Sequence, residues 1–260
     1  SIPNRPDSTA VCTLASLNLS KHVKKDSSDF DWDKIEDTLE TMVLALDNIL
    51  DKNFYPSKEA KKNTMDLRPI GIGLMGFAEA LVELDVAYDS EEAVTIARKL
   101  GQFMRKISYA TSEKLAIERG AFNHYKEAKY DYKPRRNAVL LAIAPTATIS
   151  IVSGTTSSID SYFSNLYSRD TLSGKHIVIN SQLIFELESK ELWNDHMATL
   201  IKQHSGSVQC IEELDGKIDK EVYKTAYEIH PNRQIDIAAA FQESIDQAVS
   251  KSIYIDEQLR

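Results

Sequence analysis

The chain has very little cysteine: Cys12 and Cys210 are the two in 260 residues, and they lie in opposite halves of the sequence. No C-x-x-C pair is present. Zinc sites and disulfide-stapled scaffolds depend on closely spaced cysteines, so the sequence argues against both classes. We therefore expect a reducing, cytoplasmic setting.

Long apolar runs and an excess of positive charge are also missing. No run approaches the roughly 20 residues that span a bilayer, and no signal peptide is visible, so we expect no membrane partner. The 31 basic residues are outnumbered by 39 acidic ones, which gives a net charge of −8. General nucleic-acid binders are usually basic, so we expect no direct nucleic-acid partner, although a local basic pocket for a phosphorylated ligand stays compatible.

Metal-binding patterns are absent as well. The six histidines show no H-E-x-x-H or similar spacing, and acidic pairs such as Glu91 and Glu92 fit solvated helix surfaces. We therefore predict no metal site in this sequence.

The two ends look like cuts through a longer polypeptide. The chain opens on Ser1 rather than Met, and it stops on "SIYIDEQLR" without a tail. We expect a segment of a larger protein, with a processed product or one half of a split gene as the alternatives.

Apolar periodicity predicts strands that alternate with helices. The pattern "IEDTLETMVLALDNIL" has helical spacing, with Ser28 or Asp29 as the expected cap, and Ser90 and Gly120 bound a second long helix. This alternation predicts an α/β fold with a mainly parallel sheet. The predicted strands are 9–20, 68–75, 137–145, 175–180 and 251–255; the predicted helices are 26–53, 76–85, 90–120, 181–193, 221–229 and 233–250, with a polar helix or loop at 56–66.

The stretch "RPIGIGLMGF" places Gly71, Gly73 and Gly76 at G-x-G-x-x-G spacing. Such spacing lets a backbone approach a dinucleotide pyrophosphate at a helix N-terminus. The preceding strand is short, however, and the acidic residues about 20 positions further on fall at a helix start rather than a strand end. We therefore expect the glycines to serve close strand–helix packing instead.

The strongest local signal for a ligand is "AIAPTATISIVSG", in which an apolar strand ends at Pro145 and hydroxyl residues follow. In α/β folds, ligands bind at the carboxyl ends of strands, where backbone N–H groups and a helix dipole can hold an anion. Thr146, Thr148 and Ser150 add hydroxyl groups. The alternative is an ordinary Thr- and Ser-rich turn between a strand and a helix.

Taken by themselves, the two cysteines have structural interpretations. Cys12 lies in the apolar run "AVCTL", where a buried cysteine usually behaves as a small hydrophobic residue. Cys210 has no histidine or cysteine near it in sequence.

Several of these stretches, in order along nearly the whole chain, resemble the catalytic large (alpha) subunit of ribonucleotide reductase. The resemblance covers the carboxy-terminal half of that family's catalytic barrel. It implies an α/β fold that forms part of a ten-stranded barrel, with residues 1–260 as a single segment. The matching stretches are "AVCTLASLNLS", "FDWDKIEDTLETMVLALDNILDKNFYP", "RPIGIGLMGFAEAL", "RNAVLLAIAPTATISIVSG" and "SIDSYFSNLYSRDTLSGK".

The resemblance implies a role for each matching site residue. Cys12 is implied to be one of two thiols that become a disulfide as the 2′-hydroxyl of a ribonucleotide is lost; its partner is implied to lie outside this chain. The implied phosphate-binding residues are Thr146, Ala147, Thr148, Ile149 and Ser150.

The resemblance also implies components beyond this chain. They are a ribonucleotide substrate, the rest of the large subunit, a dithiol reductant and a radical source. That source is either a metal-containing small subunit or adenosylcobalamin, and no cofactor is expected within the segment itself.

Three departures from the family pattern bear on activity. No Asn-x-Cys-x-Glu finger loop and no Tyr-Tyr pair occur, and Asp160-Ser161 stands where the family usually has Glu-Pro. We expect the chain to be inactive on its own. Two other functions stay open: a non-catalytic phosphate-ligand or assembly module derived from the barrel, and a dinucleotide-dependent dehydrogenase.

Overall fold

The computed structural model describes residue 2 and residues 4–26, 29–125, 133–171 and 174–255. Four parallel chain segments organise this part of the chain. Strands β1 (Thr13–Asn18) and β2 (Ile70–Met75) pair in parallel, from Thr13 opposite Ile70 to Asn18 opposite Met75. Ile72 then bridges Leu141, and Ile143 bridges Val249, both in parallel. The segments therefore lie side by side in their sequence order, as the predicted α/β class requires.

Helices cover these parallel segments. After β1 come a 3₁₀ turn (Leu19–His22), α1 (Trp32–Lys52) and α2 (Lys58–Leu67). After β2 come α3 (Phe77–Glu83) and α4 (Glu91–Arg119), and after residues 139–143 comes α5 (Ala147–Ser153). The remaining elements are the strands β3 (Leu166–Thr171) and β4 (Gly174–Ile179), the helices α6 (Ser181–Ser189), α7 (Asp195–Gln203) and α8 (Pro231–Gln242), and two 3₁₀ turns (Glu212–Leu214 and Lys220–Tyr223).

The two long helices confirm the sequence prediction closely. Ser90 caps α4 by accepting from Ala93 N at 3.0 Å, and Gly120 ends it. The cap of α1 is Asp31, which accepts from Lys34 N at 3.1 Å. Asp29 is not the cap; its carboxylate accepts from Trp32 Nε1 instead, and Ser28 lies outside the described residues.

Two hydrophobic cores are present in the described residues. The larger packs α1, α3, α4 and α8 against the parallel segments, and Ile35, Leu39 and Val43 of α1 are fully buried in it. The second joins α6 and α7 to residues 208–223. Helix α7 was missed by the sequence analysis, although Asn194 caps it and Met197 and Ile201 repeat at helical spacing.

The carboxy-terminal predictions were partly wrong. The helix predicted over 221–229 does not form, and only the 3₁₀ turn Lys220–Tyr223 lies at its start. Ala226 N donates to Tyr162 O instead, and the Glu228 carboxylate accepts from Thr225. The helix predicted over 233–250 ends at Gln242. The Gln242 side chain donates to Ile245 O and Gln247 O and accepts from Val249 N, and these bonds hold residues 245–249 in a non-helical conformation.

Two predicted strands also differ from the structure. The strand predicted at 251–255 does not form, because the parallel pairing falls earlier, at Ala248 to Ser250. Strand β4 does form, but it pairs antiparallel with β3, as a hairpin outside the parallel arrangement.

A buried charge network ties the ends of α1, α2 and α4 together. Arg68, in the left-handed region at the end of α2, donates from Nε to Asp47 at 2.8 Å and from NH1 to Asp51 at 2.8 Å. Arg119 and Arg136 also approach Asp47, at 3.3 and 3.4 Å. Because Asp47 is fully buried, these contacts compensate a charge that has no access to water.

None of the helices in the described part of the chain is long and apolar enough to cross a membrane.

Candidate functional site

The Thr- and Ser-rich segment predicted as an anion site lies at the carboxyl end of the third parallel segment. Thr146 precedes α5 in a non-helical conformation, with φ −89° and ψ 38°. Thr146 and Ser150 are buried, whereas Ala147, Thr148 and Ile149 between them are exposed. The first N–H groups of a helix have no partner within it. Ala147, Thr148 and Ile149 therefore carry N–H groups that are unpaired within the helix, and they face solvent between two buried residues.

A loop that follows α5, residues 154–158, fixes both buried residues. Ser158 N donates to Thr146 Oγ1 at 2.8 Å. The Ser150 and Ser157 hydroxyl oxygens lie 3.0 Å apart, and Thr155 N donates to Ser150 O at 3.0 Å. The conformation of the segment is thus set by side chains and backbone that come after it in the sequence.

The loop is held in turn by Glu79, which sequence reasoning missed. Its carboxylate accepts from Thr156 N at 2.5 Å and from Thr156 Oγ1 at 2.6 Å. Burial raises the pKa of Glu79, while hydrogen bonds from Thr156 act in the opposite direction. The signal in the sequence was a single acidic residue within the apolar run "GFAEALV".

Cys12 is half-buried and free, and it lies one residue before β1 begins rather than inside the strand as predicted. Its closest polar partner is Gln247, whose Nε2 donates to Cys12 Sγ at 3.6 Å and to Ile70 O at 3.1 Å. Burial raises the pKa of the Cys12 thiol, and the bond from Gln247 partly offsets this. This shift favours the thiol over the nucleophilic thiolate.

The glycines of the G-x-G-x-x-G stretch pack against protein. A Cβ on Gly71 would lie 3.0 Å from Cys12 Sγ and 3.1 Å from Ala142 Cβ, and one on Gly73 would lie 2.5 Å from Ala142 O. Gly76, at φ +76°, packs against Thr155. The expectation of close packing is confirmed, but the partners are neighbouring parallel segments and a loop rather than a helix. These contacts fill the space that a pyrophosphate needs at this motif.

Gly71 also shows how the two predicted parts of the site are related. The Cys12 thiol and the Ala142 methyl group both lie against it. Ala142 precedes Thr146 by four residues, which is at most about 14 Å of extended chain. The fold therefore brings Cys12 close to the segment that leads into residues 146–150, although 134 positions separate Cys12 from Thr146 in the sequence.

Asp160, at the position that departs from the family pattern, is part of an ordered contact. It accepts from Lys251 Nζ at 3.2 Å and from Ser252 N at 3.1 Å. Lys251 is almost fully buried, and burial lowers its pKa while Asp160 acts to raise it. The Asp160–Lys251 pair thus joins the chain just after the 154–158 loop to the carboxy-terminal segment.

A cleft of about 510 Å³ opens beside the 154–158 loop. Hydroxyl and amide side chains line much of it, with aromatic rings from Tyr162 and Tyr167. Among the residues that the structure describes, no three His, Cys, Asp or Glu side chains lie together as a metal-ligand set.

The fold and the site define a class: an α/β fold that places a thiol and a Thr/Ser-rich segment on the two parallel segments that flank β2. The family model for the ribonucleotide reductase barrel domain matches residues 2–134 and 131–260. The chain belongs to the ribonucleotide reductase family, in agreement with the resemblance stated from its sequence.

Individual relatives agree with the family model. The chain is 33% identical to the ribonucleoside-diphosphate reductase subunit alpha of Chlamydia pneumoniae, over 96% of this chain and 27% of that protein. It is 36% identical to the vitamin B12-dependent ribonucleoside-diphosphate reductase of Thermoplasma acidophilum, over 93% of this chain and 31% of that protein. The chain thus spans about a third of the length of the curated relatives it matches.

A solved structure gives the same picture in three dimensions. The alpha subunit of the Actinobacillus ureae class Id ribonucleotide reductase superposes with a TM-score of 0.79 at 28% identity. The match covers 94% of this chain and 44% of that one. The chain therefore corresponds to a partial region of the large subunit.

Proposed function

We propose that this chain is the region of a ribonucleotide reductase large subunit that supplies one redox thiol and the loop for the substrate phosphates. Residues 1–260 then form a single segment of the catalytic barrel. The observation that carries the proposal is the placement of Cys12 beside Ala142, on the segment that leads into Thr146 to Ser150.

The proposed role of Cys12 is to donate hydrogen during reduction. In the complete enzyme, a thiyl radical on another cysteine removes the 3′-hydrogen of the ribonucleotide and the 2′-hydroxyl leaves as water; after reduction, that cysteine returns the hydrogen to C3′ and is a thiyl radical again. Cys12 and a second thiol from outside this chain supply the two electrons and two hydrogens, and they end as a disulfide. A dithiol reductant then restores both thiols. The half-buried position of Cys12, which raises the pKa of its thiol, supports this role.

The proposed role of residues 146–150 is to bind the substrate phosphates. The exposed Ala147, Thr148 and Ile149 offer backbone N–H groups at a helix start, and the Thr148 hydroxyl adds a donor. Charge-assisted hydrogen bonds from such groups to phosphate oxygens are among the strong ones. The buried Thr146 and Ser150 support the role by fixing the two ends of the segment.

The proposal assigns the remaining parts of the reaction to other components. They are the rest of the large subunit, a radical source, which is either a metal-containing small subunit or adenosylcobalamin, and the dithiol. Both cysteines of the chain are free, which supports a reducing, cytoplasmic setting. The isolated chain is expected to show no reductase turnover, and turnover by it would contradict this part of the proposal.

The experiment is a Cys12→Ser substitution in the complete reductase, with Cys210→Ser as the matched control. Cys210 is exposed and belongs to the region of the second core. We expect Cys12→Ser to abolish dithiol-dependent turnover and to leave equilibrium binding of CDP unchanged, whereas Cys210→Ser retains turnover. Wild-type turnover in the Cys12→Ser enzyme would refute the role of this thiol.

A further inference from the structure

Glu79 is a buried charged group with no role in the reaction described above. Its side chain is 6% exposed, on the first turn of α3. No lysine or arginine forms an ion pair with it in the described part of the chain. Burying a carboxylate costs free energy unless its oxygen atoms are well bonded. The hydrogen bonds that it makes therefore indicate what it does.

Two of those hydrogen bonds come from Thr156 of the 154–158 loop. Glu79 accepts from Thr156 N at 2.5 Å and from Thr156 Oγ1 at 2.6 Å, so both of its carboxylate oxygens are bound. Gly76 N, at the start of the same helix, donates to Thr156 O at 3.0 Å. The turn between β2 and α3 thus binds the N–H, the carbonyl and the hydroxyl of Thr156.

The neighbours of Thr156 carry this restraint to the phosphate segment. Thr155 N and Ser157 Oγ bind Ser150, and Ser158 N binds Thr146 Oγ1. Both buried ends of residues 146–150 are therefore bonded to residues within two positions of Thr156. No contact between Glu79 and residues 146–150 is needed for it to fix their conformation.

We propose that Glu79 is a positioning residue for the phosphate-binding segment 146–150 and acts through Thr156. This inference rests on the proposed function of that segment. A carboxylate suits the task because both of its oxygens accept, so the N–H and the hydroxyl of Thr156 are bound together. A glutamine keeps one acceptor for the N–H, but it turns a donor towards the hydroxyl.

The test is equilibrium binding of CDP and of cytidine, which lacks the phosphates, to the complete large subunit that contains this region. We expect Glu79→Ala to raise the Kd for CDP by about tenfold, the effect of losing one hydrogen bond to a charged group. The Kd for cytidine stays at its wild-type value. In the complete reductase, KM for CDP rises by the same factor while kcat changes little. Glu79→Gln gives an intermediate result.

Glu83→Ala is the matched control, since Glu83 lies one turn later on α3 and its carboxylate accepts from Gln182 Nε2 at 3.2 Å. It is expected to leave both dissociation constants unchanged. Thr156→Val combined with Glu79→Ala is expected to be no worse than Glu79→Ala alone, because both act through one contact. Thermal unfolding checks that each variant is folded. If Glu79→Ala unfolds the subunit, the dissociation constants of Glu79→Gln are compared with those of Glu83→Ala instead.

The outcomes separate the two proposals. A wild-type subunit that binds CDP no better than cytidine contradicts the proposed function of residues 146–150. A wild-type subunit that prefers CDP, with Glu79→Ala and Glu79→Gln equal to Glu83→Ala, overturns the role of Glu79 alone. An equal loss of CDP and cytidine binding also overturns it, because a general structural defect would act on both ligands.

Discussion

Asp47 and Glu79 are both buried carboxylates, but their surroundings are opposite. Asp47 is approached by the guanidinium groups of Arg68, Arg119 and Arg136, at 2.8 to 3.4 Å. Glu79 accepts from neutral groups, among them the N–H and the hydroxyl of Thr156. The first arrangement compensates a charge with charges and joins three helix ends. The second leaves the charge uncompensated and fixes one loop. The free-energy cost of such an arrangement is more typical of a functional site than of a core.

The largest effect is expected from removing the compensated carboxylate. Asp47→Ala leaves the buried Arg68 without its fully buried carboxylate partner, and breaking a buried ion pair typically costs about 3–5 kcal/mol. Urea unfolding of the chain measures the loss. Asp51→Ala is the control, because Asp51 bonds the same arginine but its side chain is 45% exposed, so its loss is expected to cost much less. Equal losses for the two variants would show that burial of Asp47 is not what makes it important.

An intermediate effect is expected from two threonines of the segment 146–150, the proposed site of phosphate binding. Thr146→Val removes the acceptor for the buried Ser158 N–H and is expected to cost about 1–3 kcal/mol of folding stability. Thr148→Val alters an exposed hydroxyl and is expected to change stability by less than about 0.5 kcal/mol. It is expected instead to weaken CDP binding. Urea unfolding and CDP binding of both variants separate the structural role of Thr146 from the binding role of Thr148. A loss of stability in Thr148→Val would contradict this separation.

The smallest effect is expected from Glu79→Gln, and it depends on pH. Burial raises the folded-state pKa of Glu79 above its ordinary value of 4.5. The folded protein therefore binds this proton more readily than the unfolded chain does. The contribution of Glu79 to stability is full below pH 4.5 and is lost as the pH rises through the folded-state pKa. At pH 7 the glutamine variant is expected to lie within about 1 kcal/mol of wild type.

Lowering the pH provides the check on that sign. The wild type is expected to gain stability relative to Glu79→Gln as the pH falls from 7 towards 4.5, as measured by unfolding both proteins at each pH. The opposite trend would mean that the folded-state pKa of Glu79 is lowered. The bonds from Thr156 would then outweigh burial, and the contrast with Asp47 would disappear.

Much of the fold could be predicted because local patterns carry it. The caps and periodicity of α4 lie within its own sequence, and so does the run of hydroxyl residues from Thr146 to Ser150. The predictions were wrong where a group outside the helical pattern forms a hydrogen bond with the backbone. Tyr162 O accepts from Ala226 N, and the Gln242 side chain binds the backbone of Gln247 and Val249 beyond the end of α8.

The sequence by itself determined the α/β class, the long helices and the two groups of site residues that the family resemblance singled out. The tertiary structure decided which of those groups meet and what holds them. Glu79 lies 77 positions from Thr156, and Gln247 lies 235 positions from Cys12. Contacts between such distant residues leave no local periodicity. They form only when the parallel segments are aligned and close approach at Gly71, Gly73 and Gly76 allows them to pack.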